Sequence, residues 1–321
     1  MAPFDHIAFR QEVERAAARI APHVRKTPCL RLDRATLDAW GIGHDGEVWL
    51  KLEQLQASGS FKARGMFNRM LSAQVPAAGV IIASGGNAGI AAAYAARALG
   101  HRAEVYLPEV SSAIKRNTLG NLGALVTVSG ATYADALAAC ERRQGDTGAL
   151  MLHAYDQPEV VAGAGTLARE IEQQIGTPDA TMVSVGGGGL IGGIAGWFAR
   201  QSRVVALEPE LAPTLHAALA AGEPVDVAVS GVAADSLGAR RVGAIAWQVA
   251  QGAVAQALLL RDDDIRRAQR ALWRDHRLAV EPGAALPLAA LMTGAYTPEP
   301  GARVCLVVCG ANVDLATLAT E

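Results

Sequence analysis

Short, continuously apolar runs alternate with longer amphipathic stretches along most of the 321-residue chain. The apolar runs predict strands buried on both faces, at 48–52, 79–83, 103–107, 124–128, 181–185, 204–207 and 304–308. Helical spacing of apolar residues predicts helices between them, at 88–99, 111–119, 132–143, 160–175 and 190–200. This alternation is typical of an α/β protein whose parallel sheets are covered by helices on both faces.

The organisation into domains follows from length and from the missing linker. A chain of this length is expected to form about two domains. No fixed-period repeat, low-complexity tract or Pro/Gly-rich linker separates two halves of the sequence. We therefore predict that a small α/β domain at 71–150 is inserted into a large domain formed by 1–70 plus 151–321.

Charge and composition exclude several classes of protein. The 29 basic and 31 acidic residues give a net charge of −2 without any run of like charge, which argues against binding to nucleic acid or to a membrane surface. The uncharged stretches at 75–96, 181–199 and 242–260 contain proline, glycine clusters or glutamines, so none is a convincing membrane span. Residues 1–20 predict a charged amphipathic helix and not a signal peptide, and the four cysteines form no CxxC pair. We therefore expect a cytoplasmic protein with reduced thiols.

Lysine is rare in this chain, which narrows the search for a reactive amine. Lys26, Lys51, Lys62 and Lys115 are the four lysines among 29 basic residues. Lys62 lies in the segment SFKARG, where small and polar residues surround one lysine and one aromatic ring. A lysine that attacks a carbonyl needs a pKa lowered by burial, and this setting favours one. A surface lysine at the start of a helix is the alternative interpretation of the same segment.

Four consecutive glycines, Gly186 to Gly189, join a predicted strand to a predicted helix. Without side chains, successive backbone N–H groups can converge on an anion, and the N-terminus of the following helix favours negative charge. The pattern predicts a phosphate-binding loop, although a tight turn with close helix–sheet packing is the alternative. It is neither a dinucleotide fingerprint nor a P-loop, because the GxxxxGK[ST] pattern is absent.

Two further segments follow predicted strands and point to the same crevice. Ser84 and Asn87 flank two glycines after the strand at 79–83, where α/β sheets place their ligands. Capping of the next helix by Ser84 or Asn87 is the alternative role of these two side chains. Cys309 follows the last predicted strand and precedes a glycine, and its alternative role is that of a buried structural thiol.

Taken together, these segments resemble the fold-type II pyridoxal-phosphate enzymes, specifically the serine/threonine dehydratases. The resemblance covers nearly the whole chain and includes SFKARG at 60–65, SGGNAGIAAAYAAR at 84–97, GGGGL at 186–190, SLGA at 236–239, EP at 281–282 and CGAN at 309–312. The Asn-Ala of the second segment is similar to the serine dehydratases, since threonine deaminases and serine racemases have Asn-His. The resemblance implies two open, twisted, mostly parallel sheets flanked by helices, as in the tryptophan synthase β subunit, with pyridoxal 5'-phosphate in the cleft between domains.

The resemblance also implies a role for individual residues. Lys62 would form a Schiff base with the cofactor, Phe61 would pack on its ring, Asn87 would hydrogen-bond its phenolic oxygen and Cys309 would lie at its pyridine nitrogen. The cofactor phosphate would be bound by Gly186, Gly187, Gly188, Gly189 and the Leu190 amide. The substrate carboxylate would be bound at Ser84, Gly85 and Ala88.

A cation site is implied at Glu208 and the Ala212 carbonyl. The racemases have an acidic ligand two residues further on, where this chain has Thr214. We therefore expect a monovalent cation such as K⁺ and not a divalent ion.

The activity implied is β-elimination from L-serine or L-threonine, which gives pyruvate or 2-oxobutyrate and ammonia. Dehydration of 3-hydroxyaspartate or phenylserine, serine racemisation, and non-catalytic anion binding by an α/β protein are the alternatives. Serine racemases carry a second serine where this chain has Gly85, so we expect little racemisation. The chain ends soon after Asp314, so no regulatory domain and no feedback by isoleucine are expected, and the family implies a homodimer that acts on a small amino acid.

Overall fold

The computed structural model describes residues 4–318 and contains two sheets with helices packed around them. Its strands are β1 Cys29–Arg31, β2 Glu47–Lys51, β3 Val80–Ala83, β4 Ala103–Leu107, β5 Leu125–Val128, β6 Leu150–Met151, β7 Ala180–Ser184, β8 Arg203–Pro209, β9 Val254–Leu260 and β10 Arg303–Val307. Its α-helices are α1 His6–Ile20, α2 Arg34–Ala39, α3 Lys62–Leu71, α4 Asn87–Ala98, α5 Ala113–Asn121, α6 Tyr133–Thr147, α7 Pro158–Ile175, α8 Gly189–Phe198, α9 Thr214–Ala221, α10 Ala244–Ala253, α11 Asp262–His276 and α12 Pro282–Met292.

Both sheets are mostly parallel, which confirms the predicted fold class. The six-stranded sheet has the order β1-β2-β10-β7-β8-β9, and its one antiparallel pair is β1 with β2. The four-stranded sheet has the order β5-β4-β3-β6 and is parallel throughout. In parallel sheets the carboxyl ends of neighbouring strands lie at one edge, so the loops that follow β7 and β10 lie together in the larger sheet, and the loop that follows β3 lies at the corresponding edge of the smaller one.

The strands of the smaller sheet run from Val80 to Met151 and interrupt the chain of the larger one. The last of them, β6, extends one residue past the boundary that we predicted at residue 150. The division into domains stays a prediction. Helix α1 begins at His6, with the Asp5 carboxylate accepting from the N–H groups of Ile7 and Ala8 at 3.0 Å, and residues 1–3 lie outside the described part of the chain.

Helix α3 contributes to the packing of both sheets and carries Lys62 at its first position. Its residues Met66 and Phe67 are fully buried in the core that covers the smaller sheet. On its other side α3 crosses α7 with almost no space between the two backbones. A Cβ atom at Gly163 would lie 2.6 Å from the carbonyl oxygen of Arg64, and one at Gly65 would lie 2.9 Å from that of Val160. Glycine at both positions lets the two helices touch, and this contact fixes α3 against the larger sheet.

The structure also bears on two further features of the sequence, the uncharged stretches and the four cysteines. Within residues 4–318 no helix is both long and apolar enough to cross a membrane. All four cysteines are free thiols, and Cys140, Cys305 and Cys309 are buried.

Candidate active site

The loops at the carboxyl ends of β3, β7 and β10 meet around one cavity. Its lining residues are Phe61, Lys62, Asn87, Ser184, Gly186, Gly187, Gly188, Gly189, Leu190, Ser236, Leu237, Glu281 and Cys309. All the residues expected at the cofactor are therefore brought together. Of the residues expected at the substrate carboxylate, Gly85 lines a neighbouring cleft, and Ser84 and Ala88 line neither space.

Lys62 is half-buried at the start of α3, and its amine is turned inward. Its Nζ atom donates a hydrogen bond to the carbonyl oxygen of Ala154 at 2.7 Å and lies 4.9 Å from the centre of the Phe61 ring. Burial lowers the pKa of the Lys62 amine to about 8, because water no longer stabilises the charged form. Lys62 is therefore not a solvated surface lysine, and about a tenth of its amine is neutral at pH 7, far more than for an exposed lysine.

The glycine loop at 186–189 is both closely packed and rich in free N–H groups. A Cβ atom at Gly187 would lie 2.3 Å from the ring of Tyr155, so the loop is closely packed, as the tight-turn interpretation expects. Helix α8 begins at Gly189, and the N–H of Gly192 bonds the carbonyl oxygen of Gly188 at 2.8 Å. The N–H groups before Gly192 belong to the first turn, which has no acceptor within the helix. They are therefore available to an anion in the cavity.

Cys309 faces this cavity as a neutral thiol. Burial, reinforced by the nearby Glu281 carboxyl, raises the pKa of Cys309 to about 12. Its carbonyl oxygen accepts a hydrogen bond from the N–H of Phe61 at 3.1 Å. That bond ties the end of the β10 segment directly to the segment that carries Lys62.

Asn87 is held by two side chains from other parts of the chain. Its Nδ2 atom donates to both carboxylate oxygens of Glu281 at 2.8 Å, and its Oδ1 atom accepts from Asn312 Nδ2 at 2.6 Å. Gly86 is the N-cap of α4 without any side-chain hydrogen bond, so the alternative interpretation of Ser84 or Asn87 as a cap is wrong. Burial raises the pKa of Glu281 above its usual range. Local sequence pattern assigns no role to Glu281, because its partner Asn87 is 194 residues away along the chain.

A wide cleft with a volume of about 620 Å³ adjoins the cavity and shares Asn87, Ser236 and Glu281 with it. Gly85 and Gly86 lie on its wall. Across its mouth, Lys115 Nζ of α5 forms an ion pair with Asp235 Oδ1 at 2.9 Å. The cleft therefore connects the cavity with solvent between the two sheets.

Glu208, where a cation site is expected, lies beside the glycine loop, and its carboxylate already accepts three hydrogen bonds. The Glu208 carboxylate accepts from the N–H groups of Leu215 and His216 at 2.7 Å, which caps α9. The Thr214 hydroxyl lies 2.9 Å from Glu208 Oε1 and 2.6 Å from the carbonyl oxygen of Gly186. Burial raises the pKa of Glu208 to about 7. Among residues 4–318 there is no cluster of three or more His, Cys, Asp or Glu side chains that could hold a metal ion.

The residues in the cavity fit pyridoxal phosphate. The first turn of α8 offers N–H groups to a phosphate, the lowered pKa of the Lys62 amine suits bonding to an aldehyde, and the Phe61 ring offers an apolar face. In addition, the Ser184 hydroxyl on the cavity wall is buried and has no hydrogen-bond partner among the described residues. A buried polar group without a partner is unfavourable, and a bound molecule would relieve it.

Comparison with known proteins agrees with this fit. Residues 20–310 match the family model described as "Pyridoxal-phosphate dependent enzyme". L-threonine ammonia-lyase of Geobacter sulfurreducens is 33% identical over 311 residues, which cover 95% of this chain and 76% of that protein. Phenylserine dehydratase of Ralstonia pickettii is 36% identical over 310 residues, which cover 94% and 92%.

Among solved structures, maize serine racemase superposes with a TM-score of 0.89 at 29% identity, covering 96% of this chain and 94% of that one. The sheets, the cavity and these similarities lead to one conclusion. The chain belongs to the pyridoxal-phosphate-dependent enzyme family and has the fold of the fold-type II enzymes.

Proposed function

We propose that this protein is a lyase that converts L-serine, L-threonine or both to a 2-oxo acid and ammonia. The observation that supports the proposal most strongly is the buried Lys62 amine, with its lowered pKa, in one cavity with the neutral Cys309 thiol and the glycine loop. Pyridoxal phosphate, when bound, supplies an electron-withdrawing ring that acidifies the α-hydrogen of an amino acid. The reaction then loses the β-hydroxyl group as water and, after hydrolysis, releases ammonia.

The residues of the cavity have separate roles in this reaction. Lys62, once the substrate amine has replaced it, is the base that accepts the α-proton at its Nζ atom. The first-turn N–H groups of α8 would bind the phosphate, and Asn87, which Glu281 holds in place, would bond the phenolic oxygen of the cofactor. Cys309 keeps its proton, so it offers a neutral hydrogen-bonding group where a carboxylate would hold a positive charge on the ring nitrogen.

The decisive test of substrate is the release of 2-oxo acid from a panel of β-hydroxy amino acids. We expect L-serine and L-threonine to be turned over with the highest kcat/KM. Phenylserine and 3-hydroxyaspartate belong in the same panel, since a relative 36% identical to this chain is a phenylserine dehydratase. A preference of tenfold or more for phenylserine would replace the proposed substrates but keep the proposed chemistry.

Racemisation is tested on L-serine with a chiral assay for D-serine. Gly85 has no side chain that could deliver a proton to the second face of the substrate, and we expect pyruvate to exceed D-serine by far. Rapid accumulation of D-serine by the purified protein contradicts this part of the proposal.

The alternative of a non-catalytic anion-binding protein is tested by colour. Purified wild-type protein is expected to be yellow, or to become so with added pyridoxal phosphate, and Lys62→Ala should lose both the colour and the release of 2-oxo acid. Protein that stays colourless with added cofactor supports the non-catalytic alternative.

We also propose that the cation site at Glu208 and the Ala212 carbonyl binds K⁺, with the Thr214 hydroxyl as a third oxygen. Hard cations prefer oxygen ligands, and this site offers a carboxylate, a hydroxyl and a carbonyl group. Cofactor affinity should fall when tetramethylammonium replaces K⁺, because Thr214 also contacts the Gly186 carbonyl. Equal affinities in the two salts refute the cation site.

A homodimer in the cytoplasm stays a prediction, and light scattering of purified protein tests the dimer.

A further inference from the structure

A buried cluster of four charged side chains lies behind the site, on the far side of the first turn of α3. We call Lys51, Glu53, Arg64 and Glu170 the buried charge cluster. Lys51, Glu53 and Arg64 are each 1% exposed or less, and the Glu170 side chain is 12% exposed. The four formal charges sum to zero. Arg64 is two residues after Lys62 in the same helical turn.

The contacts within the buried charge cluster are short and mutual. Arg64 donates from Nε and Nη2 to the two oxygens of Glu53 at 2.6 and 3.0 Å, and from Nη2 to Glu170 Oε2 at 3.0 Å. Lys51 Nζ donates to Glu170 Oε1 at 2.6 Å. The Thr27 hydroxyl donates to Glu53 Oε2 at 2.7 Å. Although burial opposes it, the Glu53 and Glu170 carboxylates raise the pKa of Arg64, so the guanidinium stays charged.

Stability alone is a poor explanation for such a cluster. Moving charges out of water costs about as much as their mutual attraction returns, and apolar residues of similar volume often stabilise a core equally well. What a two-oxygen contact between Arg64 and Glu53 provides is geometry, because the planar guanidinium fixes both the distance and the direction of its partner.

The buried charge cluster also reaches the opposite wall of the site through backbone bonds. The Lys51 carbonyl oxygen accepts from the N–H of Val308 at 3.0 Å, and the N–H of Gln54 donates to the Val308 carbonyl oxygen at 2.8 Å. Val308 precedes Cys309, whose carbonyl oxygen accepts from the N–H of Phe61. The side-chain contacts of Arg64 and these backbone contacts thus hold the two segments that bear Lys62 and Cys309.

We propose that Glu53 and Arg64 are positioning residues for Lys62. Their contact sets the orientation of the first turn of α3, and through it the place of the Lys62 amine relative to Cys309 and the glycine loop. The proposal rests on the proposed function only for the role of Lys62 as the residue that bonds the cofactor.

The test compares Glu53→Gln with Glu104→Gln as a matched control. Glu104 is also a buried carboxylate paired with an arginine, Arg143 at 3.0 Å, but it lies in β4 of the smaller sheet. Two quantities are measured for each full-length protein: the pKa of the Lys62 amine, by competitive acetylation of the apo-protein with mass spectrometry, and the dissociation constant of pyridoxal phosphate. Both are independent of the substrate.

We expect Glu53→Gln to weaken cofactor binding about tenfold and to move the pKa of Lys62 toward that of an exposed lysine. Glu104→Gln should change neither quantity and lower Tm less, because the Arg143 side chain is 43% exposed. If Glu53→Gln lowers Tm while Lys62 and cofactor affinity keep their wild-type values, the cluster is merely structural and the proposal is refuted. If wild-type protein binds no cofactor, the proposed function fails, whereas the acetylation arm still decides this proposal.

A milder variant covers the case in which Glu53→Gln does not fold. Thr27→Val keeps all four charges and removes the 2.7 Å hydroxyl bond to Glu53. We expect about a threefold loss of cofactor affinity together with a measurable rise in the pKa of Lys62. Wild-type values of both quantities in folded Thr27→Val protein overturn the proposal.

Discussion

The two glycine-rich loops that follow β3 and β7 share one strand–loop–helix arrangement but differ in their surroundings. After β7, a Cβ atom at Gly187 would lie 2.3 Å from the Tyr155 ring, and one at Gly188 would lie 2.5 Å from the Cβ of Ala246. After β3, a Cβ atom at Gly85 would meet the end of the flexible Leu107 side chain, at 2.9 Å, and one at Gly86 would come no closer than 3.5 Å to the carbonyl oxygen of Asp235. The closed loop suits a cofactor that stays bound, and the open loop suits a substrate that enters and leaves.

The largest expected effect is that of a methyl group in the closed loop. Gly187→Ala forces its Cβ against the half-buried Tyr155 ring, so the loop must shift and its N–H groups leave their positions; we expect about a 100-fold loss of cofactor affinity, or about 3 kcal/mol. Fluorescence titration of the apo-protein measures it. Gly43→Ala, where a Cβ meets nothing within 4 Å, is the matched control. An affinity for cofactor within threefold of wild type would show that the loop is not closed.

The pH dependence of Schiff-base formation tests whether the Lys62 amine is shielded from solvent like the closed loop. The neutral amine reacts, and with a pKa of about 8 its fraction rises about tenfold between pH 7 and 9, whereas that of an exposed lysine of pKa near 10.4 rises about a hundredfold. Stopped-flow absorbance with apo-protein and pyridoxal phosphate measures the rate. A hundredfold increase would mean that Lys62 is solvated.

In the open loop the same methyl group should have a smaller effect and on a different quantity. Gly86→Ala places its Cβ at an ordinary van der Waals distance, so we expect cofactor affinity to be unchanged and KM for the amino acid to rise about threefold. Steady-state kinetics on the best substrate of the panel check this. If Gly86→Ala weakens cofactor binding as much as Gly187→Ala does, the contrast between the loops is refuted.

The smallest effect is expected at the mouth of the cleft. Lys115 and Asp235 form an ion pair at 2.9 Å, but the Asp235 side chain is 86% exposed, and exposed pairs of this kind contribute between about 0 and 1 kcal/mol. Lys115→Ala should therefore change Tm by no more than about 2 °C and KM by no more than about twofold. Thermal unfolding at low and high salt provides the control, and a larger loss that salt does not abolish would identify a closing contact.

Local pattern predicted the central strands of each sheet, because they are continuously apolar. It also predicted β5, but the expectation that β5 is buried on both faces is wrong: β5 is an edge strand whose residues are exposed or half-buried. It did not predict β1, β6 and β9. Strands β1 and β6 have only three and two residues, which is too short for a periodicity. Strand β9 begins at Val254, directly after α10 ends at Ala253, so no turn residues mark the boundary between them.

The candidate site divides in the same way. Lys62 and the glycine loop stand out in the local sequence, as a rare lysine beside an aromatic residue and as four consecutive glycines, so both could be predicted. The contact of Asn87 with Glu281, the packing of Tyr155 on Gly187 and the pairing of Arg64 with Glu170 join residues that are remote in sequence. Only the folded chain shows such contacts, because the sequence around one partner contains no information about which distant residue it will contact.

The backbone contact of α3 with α7 has a consequence for redesign. With Gly65 and Gly163 pressed against the facing backbone, the helix that bears Lys62 has no side chain there to shorten and no room to add one. Libraries aimed at a new amino acid therefore gain nothing from this crossing. Diversity belongs on the cleft wall, at positions such as Ile90 and Ile114, where substitutions change the room offered to a substrate without moving the amine.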